Sequence, residues 1–184
     1  MAWLLNPLDG CDGFITPRLT DRVMPLEIER KFLVHGDGWR ANARAGVRFC
    51  QGYLADDLAT VRIRRAGDRA CVTIKGRRHG IARPEYEYLI PVSDAEELLR
   101  ICRQPLIEKT RYAVPHARHV WAVDVFGGRN SGLVLAEIEL KNPDEPFTRP
   151  RWLGREVTHD RHYRNSALAI APIQPSDDGR LSAA

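Results

Sequence analysis

Leu26-Glu27-Ile28-Glu29-Arg30-Lys31-Phe32-Leu33-Val34 is the stretch on which the reading of this chain turns. In an extended strand, successive side chains point to opposite faces. One face of this stretch therefore carries Glu27, Glu29 and Lys31, and the other carries Leu26, Ile28 and Phe32. The same rhythm of two recurs downstream. Residues 49–54, 60–64, 70–75, 85–90, 108–114, 120–126 and 133–141 are all rich in β-branched or aromatic residues. Turn chemistry separates several of them, at Ala66-Gly67-Asp68, from Gly76 to Gly80, and at Gly127-Gly128. About eight strands with mostly short connections predict antiparallel pairing.

The charged faces are unusual. Gln51 and Tyr53 share one, as do Arg62 and Arg64, Thr73 and Lys75, Glu85 and Glu87, Lys109 and Arg111, and Glu137 and Glu139, while Asp124 lies opposite Val123 and Val125. The plain alternative is an ordinary sheet whose charged face is wet. Solvated faces, however, mix charge with Ser, Thr, Asn and Gln, whereas these are nearly pure Glu, Arg and Lys. Each strand also segregates by sign, and like charges at close range destabilise a strand pair. A multivalent ligand would offset that repulsion.

Closing the sheet with these faces inward resolves the pattern. An eight-stranded barrel can enclose one small ligand. Its apolar faces then point outward and need cover, which the expectation assigns to two helices. The expected fold is mainly β, of α+β type: a closed eight-stranded antiparallel β-barrel tunnel with a few covering helices. The interior would hold seven acids (Glu27, Glu29, Glu85, Glu87, Asp124, Glu137, Glu139) and six bases (Lys31, Arg62, Arg64, Lys75, Lys109, Arg111). Clustered carboxylates are hard oxygen ligands suited to Mg²⁺ or Mn²⁺. Clustered Arg and Lys clamp phosphates. Together they point to phosphoryl transfer on a chain of phosphates.

Composition sets the outer limits. The chain has 184 residues, 43% hydrophobic and 28% charged, with a formal charge of +4. This excludes disorder throughout and suits one domain. The longest apolar runs are far short of the roughly 20 residues that span a bilayer, so no membrane partner is expected. Met1–Leu5 is too short, and lacks a basic flank, for an export signal, which makes the expected location cytoplasmic. The four cysteines lack C-x-x-C spacing and the six histidines lack H-E-x-x-H spacing. Met1 and Met24 are the only methionines, and regular patterning starts at Met24. Residues 1–23 are therefore expected to be a disordered or non-native upstream extension, residues 24–173 the domain, and residues 174–184 a flexible tail. Ser93-Asp94-Ala95-Glu96 reads as a capping box ahead of a helix bearing Leu98, Leu99, Ile101 and Cys102. A second helix is expected from near Asp160, carrying Leu168 and Ile170, and a short one around residues 39–45.

The same residues resemble a known family. Glu27-Ile-Glu29-Arg-Lys31 is similar to the E-x-E-x-K opening of the CYTH domain, or triphosphate tunnel metalloenzymes. Gln51-Gly-Tyr53, Arg62-Ile-Arg64, Thr73-Ile-Lys75-Gly, Glu85-Tyr-Glu87, Lys109-Thr-Arg111, Asp124-Val-Phe126 and Glu137-Ile-Glu139 follow in that family's order. Gly154-Arg-Glu156-Val-Thr158 and Tyr163-Arg-Asn165 resemble its bacterial C-terminal signature. The resemblance spans residues 25–170, with His162 standing where many bacterial relatives have a basic residue.

The resemblance implies an antiparallel tunnel that binds a small-molecule triphosphate with Mg²⁺ or Mn²⁺. By position it implies one metal on Glu27, Glu29 and Glu139 with Glu137. Glu85, Glu87 and Asp124 would serve a second metal or the attacking water. Lys31, Arg62, Arg64, Lys75, Lys109 and Arg111 would clamp phosphates. Tyr53 matches a proton acceptor. An ordinary tyrosine ionises near pH 10, and neighbouring Arg and Lys would favour its anion. A neutral aromatic that hydrogen-bonds phosphate or lines the mouth is the other reading of Tyr53. Lys141 is expected to be solvated. Hydrolysis of tripolyphosphate to pyrophosphate and phosphate comes first. Class IV adenylate cyclase and thiamine triphosphatase activities are the alternatives within the family, and a non-catalytic polyphosphate or nucleotide sensor is the alternative outside it. No nucleic-acid partner is expected, because Tyr86, Tyr88 and Tyr112 fall on the apolar faces. A homodimer is left open.

Overall fold

The computed structural model describes residues 25–102, 105–175 and 181–183. Residues 1–23, read above as an upstream extension, lie outside it, as do residues 176–180 and 184 of the expected tail.

Eight antiparallel strands close on themselves. They are β1 (Leu26–Val34), β2 (Val47–Asp56), β3 (Thr60–Ala66), β4 (Arg69–Lys75), β5 (Ala82–Ile90), β6 (Ile107–His116), β7 (His119–Phe126) and β8 (Val134–Glu139). Their order around the wall is β5-β4-β3-β2-β6-β7-β8-β1, and β1 pairs back to β5 through Glu27↔Arg83. Closure leaves no unpaired edge around the barrel. A ninth strand, β9 (Leu153–Glu156), adds to β1. β10 (Ile173–Pro175) and β11 (Leu181–Ala183) pair with each other. Register places Glu29 opposite Glu139 and Lys31 opposite Glu137, so the alternation in each strand stacks charge on charge across the barrel wall.

The apolar faces point outward, and three covers bury much of them, leaving Ile74 and Tyr88 exposed. Phe32 and Trp121 sit 5.7 Å apart between ring centroids, and Phe147 and Trp152, from residues 140–153, pack over them. Trp39, on a 3-10 turn at Gly38–Asn42, stacks on Tyr112 at 5.1 Å. Helix α1 (Val92–Arg100) lays Ala95, Leu98 and Leu99 on Ile63 and Ala70.

The second helix does something else. A 3-10 turn (Arg161–Tyr163) leads into α2 (Asn165–Ile170). Leu168, Ala169 and Tyr163 pack with Leu33, Tyr53, Ile107, Phe126 and Leu135. By strand parity these five face the lumen. The inward faces turn apolar near one end of the barrel, so α2 closes that end rather than covering the outer wall. Three further expectations change. Pro91, fixed in an extended conformation, precedes the first turn of α1, so Ser93 lies inside the helix and caps nothing. Its hydroxyl bonds Asp94 instead. Ile101 and Ile170 are exposed. The short helix around residues 39–45 is the 3-10 turn at Gly38–Asn42.

One glycine is required by packing. A Cβ on Gly52 would lie 2.5 Å from Cys102 Sγ and 2.8 Å from Leu106 Cδ2, because these two side chains rest on β2 at this point.

Candidate active site in the tunnel

A cavity of about 900 Å³ runs inside the barrel, from Leu26, Val120 and Glu139 at one end to Asp56, Tyr163 and Arg164 at the other. Of the residues singled out from the sequence, Glu27, Glu29, Lys31, Tyr53, Arg62, Arg64, Lys75, Glu85, Glu87, Arg111, Glu137 and Glu139 line it. Lys109 and Asp124 do not; they pack within the wall, and Asp124 is fully buried.

The charges form two networks on different parts of the wall. In the first, Lys75 Nζ donates to Glu27 at 2.6 Å and to Glu85 at 3.1 Å, and Arg83 donates to Glu27. Arg64 donates to Glu87 at 2.8 Å, and Arg62 lies 3.5 Å from Glu87 and 3.7 Å from Glu85. The Thr73 hydroxyl links them, accepting from Arg62 at 3.0 Å and donating to Glu87 at 2.9 Å. In the second, Lys109 and Arg111 both donate to Asp124, at 2.5 Å and 2.6 Å, while Arg111 and Lys31 share Glu137, with Lys31 Nζ at 2.6 Å.

These partners set the ionisation. Burial alone would raise the Glu137 carboxyl, but Lys31, Arg111 and Lys109 hold it well below the usual carboxylate range. Burial is likewise outweighed at Glu27 by Lys75 and Arg83, and at Glu85 by Lys75 and Arg62. Both carboxyls end below their ordinary value. Lys109 goes the other way. Burial and the adjacent Arg111 bring it down to about 8 despite Asp124.

Of the two readings of Tyr53, its surroundings favour the neutral phenol. Burial pushes its phenol up, and Arg62 and the hydrogen bond from Gln51 Nε2, at 2.9 Å, recover only part of the shift. The neighbouring bases offset burial only in part, because the ring sits in the apolar end of the lumen beneath α2.

The expected second carboxylate group also fails to assemble. Asp124 on β7 is three strands from β5 around the wall, by way of β8 and β1. It is saturated by Lys109 and Arg111, so it does not join Glu85 and Glu87. Among the described residues no three Asp, Glu, His or Cys side chains come together as a ready ligand set. The donor chemistry nonetheless suits a hard divalent cation. Glu27, Glu29, Glu137 and Glu139 present carboxylates from the adjacent β1 and β8. The chain's own cations hold several of these oxygens: Lys75 and Arg83 on Glu27, Arg78 on Glu29 at 3.3 Å, and Lys31 and Arg111 on Glu137.

Arg78 and Arg83 were not among the residues the sequence pointed to. Arg83 shares the parity of Glu85 and Glu87, but Pro84 obscures the strand start; Arg78 lies in the turn before β5, where alternation carries no signal. Among the residues that line the cavity, ten Lys and Arg face nine Asp and Glu, so the excess is positive. Lys141 is exposed as expected, and His162 is also exposed, its ring nitrogen 2.8 Å from Asp160.

The CYTH domain model matches residues 25–169. Over 153 residues the chain is 47% identical to an inorganic triphosphatase of Acetivibrio thermocellus, a match covering 82% of this chain and 97% of that one. It is 39% identical to an inorganic triphosphatase of Nitrosomonas europaea, covering 79% and 97%. The crystal structure of the inorganic triphosphatase NE1496 superposes with a TM-score of 0.57 at 37% identity, covering 78% of this chain and 94% of that one. A closed barrel of charged strands that matches this family's model from the first tunnel strand to the closing helix is a CYTH domain, and the chain belongs to the CYTH family.

Proposed function

We propose that this chain hydrolyses a linear triphosphate, taking inorganic tripolyphosphate to pyrophosphate and phosphate. The observation that carries the reading is the lumen itself. Arg62, Arg64 and Lys75 on one part of the wall and Lys31 and Arg111 on another face a single cavity with carboxylates among them. The two relatives named inorganic triphosphatase, each matched over 97% of its length, support the substrate.

The roles divide by position. Lys31, Arg62, Arg64, Lys75 and Arg111 bind and orient the phosphates, and positioning of this kind supplies much of the catalysis in phosphoryl transfer. Lys109 acts from within the wall, by fixing Asp124 and through it Arg111. Glu27, Glu29, Glu137 and Glu139 are the residues that would hold Mg²⁺ or Mn²⁺. A bound divalent cation would neutralise charge developing on the phosphoryl oxygens. Glu85 and Glu87 hold the attacking water in line. Tyr53 donates a hydrogen bond at the closed end of the lumen and does not take the proton, since burial keeps its phenol protonated. For oligomeric state the reading takes a homodimer, with the exposed Ile74 and Tyr88 on adjacent strands as the surface a second copy would cover. A cytoplasmic location belongs to the same reading; no helix among the described residues is long and apolar enough to cross a membrane.

Phosphate release by the purified chain from tripolyphosphate, thiamine triphosphate and ATP, each with Mg²⁺ and with Mn²⁺, tests the reading. Tripolyphosphate should be turned over fastest, and Glu29→Gln should abolish the activity. Cyclic AMP as the main product from ATP would overturn hydrolysis in favour of cyclisation. Tight binding without turnover would leave the sensor.

A further inference from the structure

Phe49 stands where the two charge networks meet. It lies on β2 with the same facing as Gln51 and Tyr53, lines the cavity and is only 5% exposed. The guanidinium carbon of Arg64 is 5.2 Å from its ring centroid, and that of Arg111 is 5.6 Å away. Arg64 belongs to the Glu87 network and Arg111 to the Asp124–Glu137 network. The ring therefore lies against one guanidinium of each network.

Burial and the neighbouring Arg62 disfavour the charge of Arg64, and Arg111 adds a smaller part of the same sign. An aromatic face attracts cations through its quadrupole, which an aliphatic side chain of similar volume cannot do. Arg64 donates through Nη2 to Glu87 and also bonds Cys71, while Arg111 donates through Nε and Nη2 to Asp124 and Glu137. Phe49 and Arg64 also line a smaller cavity of about 200 Å³ next to Val47, Ala66 and Cys71, so together they form the partition between it and the main lumen. Without the ring, Arg64 would keep its bond to Glu87 but lose the aromatic face that turns it away from that space.

We propose that Phe49 is a positioning residue of the tunnel, whose ring holds the Arg64 and Arg111 guanidiniums apart and keeps both turned into the lumen as two arms of a clamp on one phosphate chain. The inference rests on the reading of the lumen as a triphosphate site. It adds that affinity depends on the aromatic character of a residue that itself makes no bond to phosphate.

The test compares Phe49→Leu, which keeps an apolar group of similar size, with Phe49→Tyr, which keeps the ring. Affinity for tripolyphosphate is measured by calorimetry without added metal, and steady-state phosphate release with Mg²⁺. F49L should weaken binding and raise KM by about tenfold, the scale of two partly desolvated cation–π contacts, with kcat changed by less than about threefold. F49Y should restore both to within about threefold of wild type. Thermal melts show whether each variant folds. Equal losses in F49L and F49Y would overturn the proposal, since volume would then be the cause. So would an F49L variant that binds as wild type, or one that loses kcat at constant KM. Because calorimetry reads binding without turnover, a wild-type chain that releases no phosphate would sink the hydrolytic reading, while the comparison of affinities still decides on Phe49.

Discussion

Lys31 and Glu137 sit directly opposite each other on β1 and β8, with Nζ 2.6 Å from Oε1 and both side chains about nine-tenths buried. A buried charge pair of this kind contributes little net stability when intact, yet removing one partner strands the other in a low-dielectric interior. Lys31→Met should therefore destabilise the fold by about 3 kcal/mol in urea titration. The loss falls at the lower end of the usual range because Arg111 still reaches Glu137. Loss of tripolyphosphate turnover should accompany it.

Acid should unfold the barrel through the lumen carboxylates. The carboxyls of Glu27, Glu85 and Glu137 lie below their ordinary value of 4.5 in the native state. Below 4.5 the unfolded chain takes up protons that the native chain does not, so stability falls with falling pH. Their contribution is complete above about 4.5 and disappears as pH drops through the lower native values. Urea midpoints measured from pH 6 to pH 3 should show the decline, and Glu137→Gln should flatten part of it.

Lys109 carries the opposite sign. Its native value of about 8 lies below the ordinary 10.5, so between the two the unfolded chain binds the extra proton and stability rises with pH. Below about 8 the cost of burying the charge is constant. Lys109→Met should remove the rise between pH 8 and pH 10.5 in urea titrations, while Asp124 keeps both contacts from Arg111.

Much of the tunnel is legible in strand parity. Glu27, Glu29 and Lys31 face the lumen because a period of two leaves them nowhere else once Ile28 and Phe32 are buried outside. Parity is silent on three matters. It cannot show that Asp124 is saturated by two cations of its own wall, because that depends on the register of β6 against β7. It does not reach Arg78, whose place over Glu29 is set by the turn before β5. Nor does it show that Leu33, Ile107, Phe126 and Leu135 form an apolar floor at one end, which is what draws α2 into the barrel mouth. The first and the last depend on stagger between strands, a quantity no single strand carries, and the second on a turn outside the strands.

Gly52 makes the packing of Cys102 and Leu106 on β2 testable. An added methyl at 2.5 Å from Cys102 Sγ must push the two apart. Gly52→Ala should lower stability by about 1–3 kcal/mol, as overpacking does. Adding Cys102→Ala should return part of the loss, a coupling that a double-mutant cycle of melting temperatures would read.

Tyr53 separates two accounts of how the attacking water loses its proton. As the base, it would have to ionise near working pH, and Tyr53→Phe would then remove the alkaline rise in kcat/KM altogether. The structure argues otherwise, since burial holds the phenol above its ordinary value and Gln51 donates to its oxygen. A neutral phenol can still donate one hydrogen bond to the ligand. Removing it should lower kcat/KM by about tenfold, the scale of a single lost hydrogen bond to a charged group. The shape of the pH profile should not change, because the acceptor is then a carboxylate, Glu85 or Glu87, which Tyr53→Phe leaves in place. A pH–rate profile of the two proteins on tripolyphosphate checks this, and loss of the alkaline limb in the variant would return the proton to Tyr53.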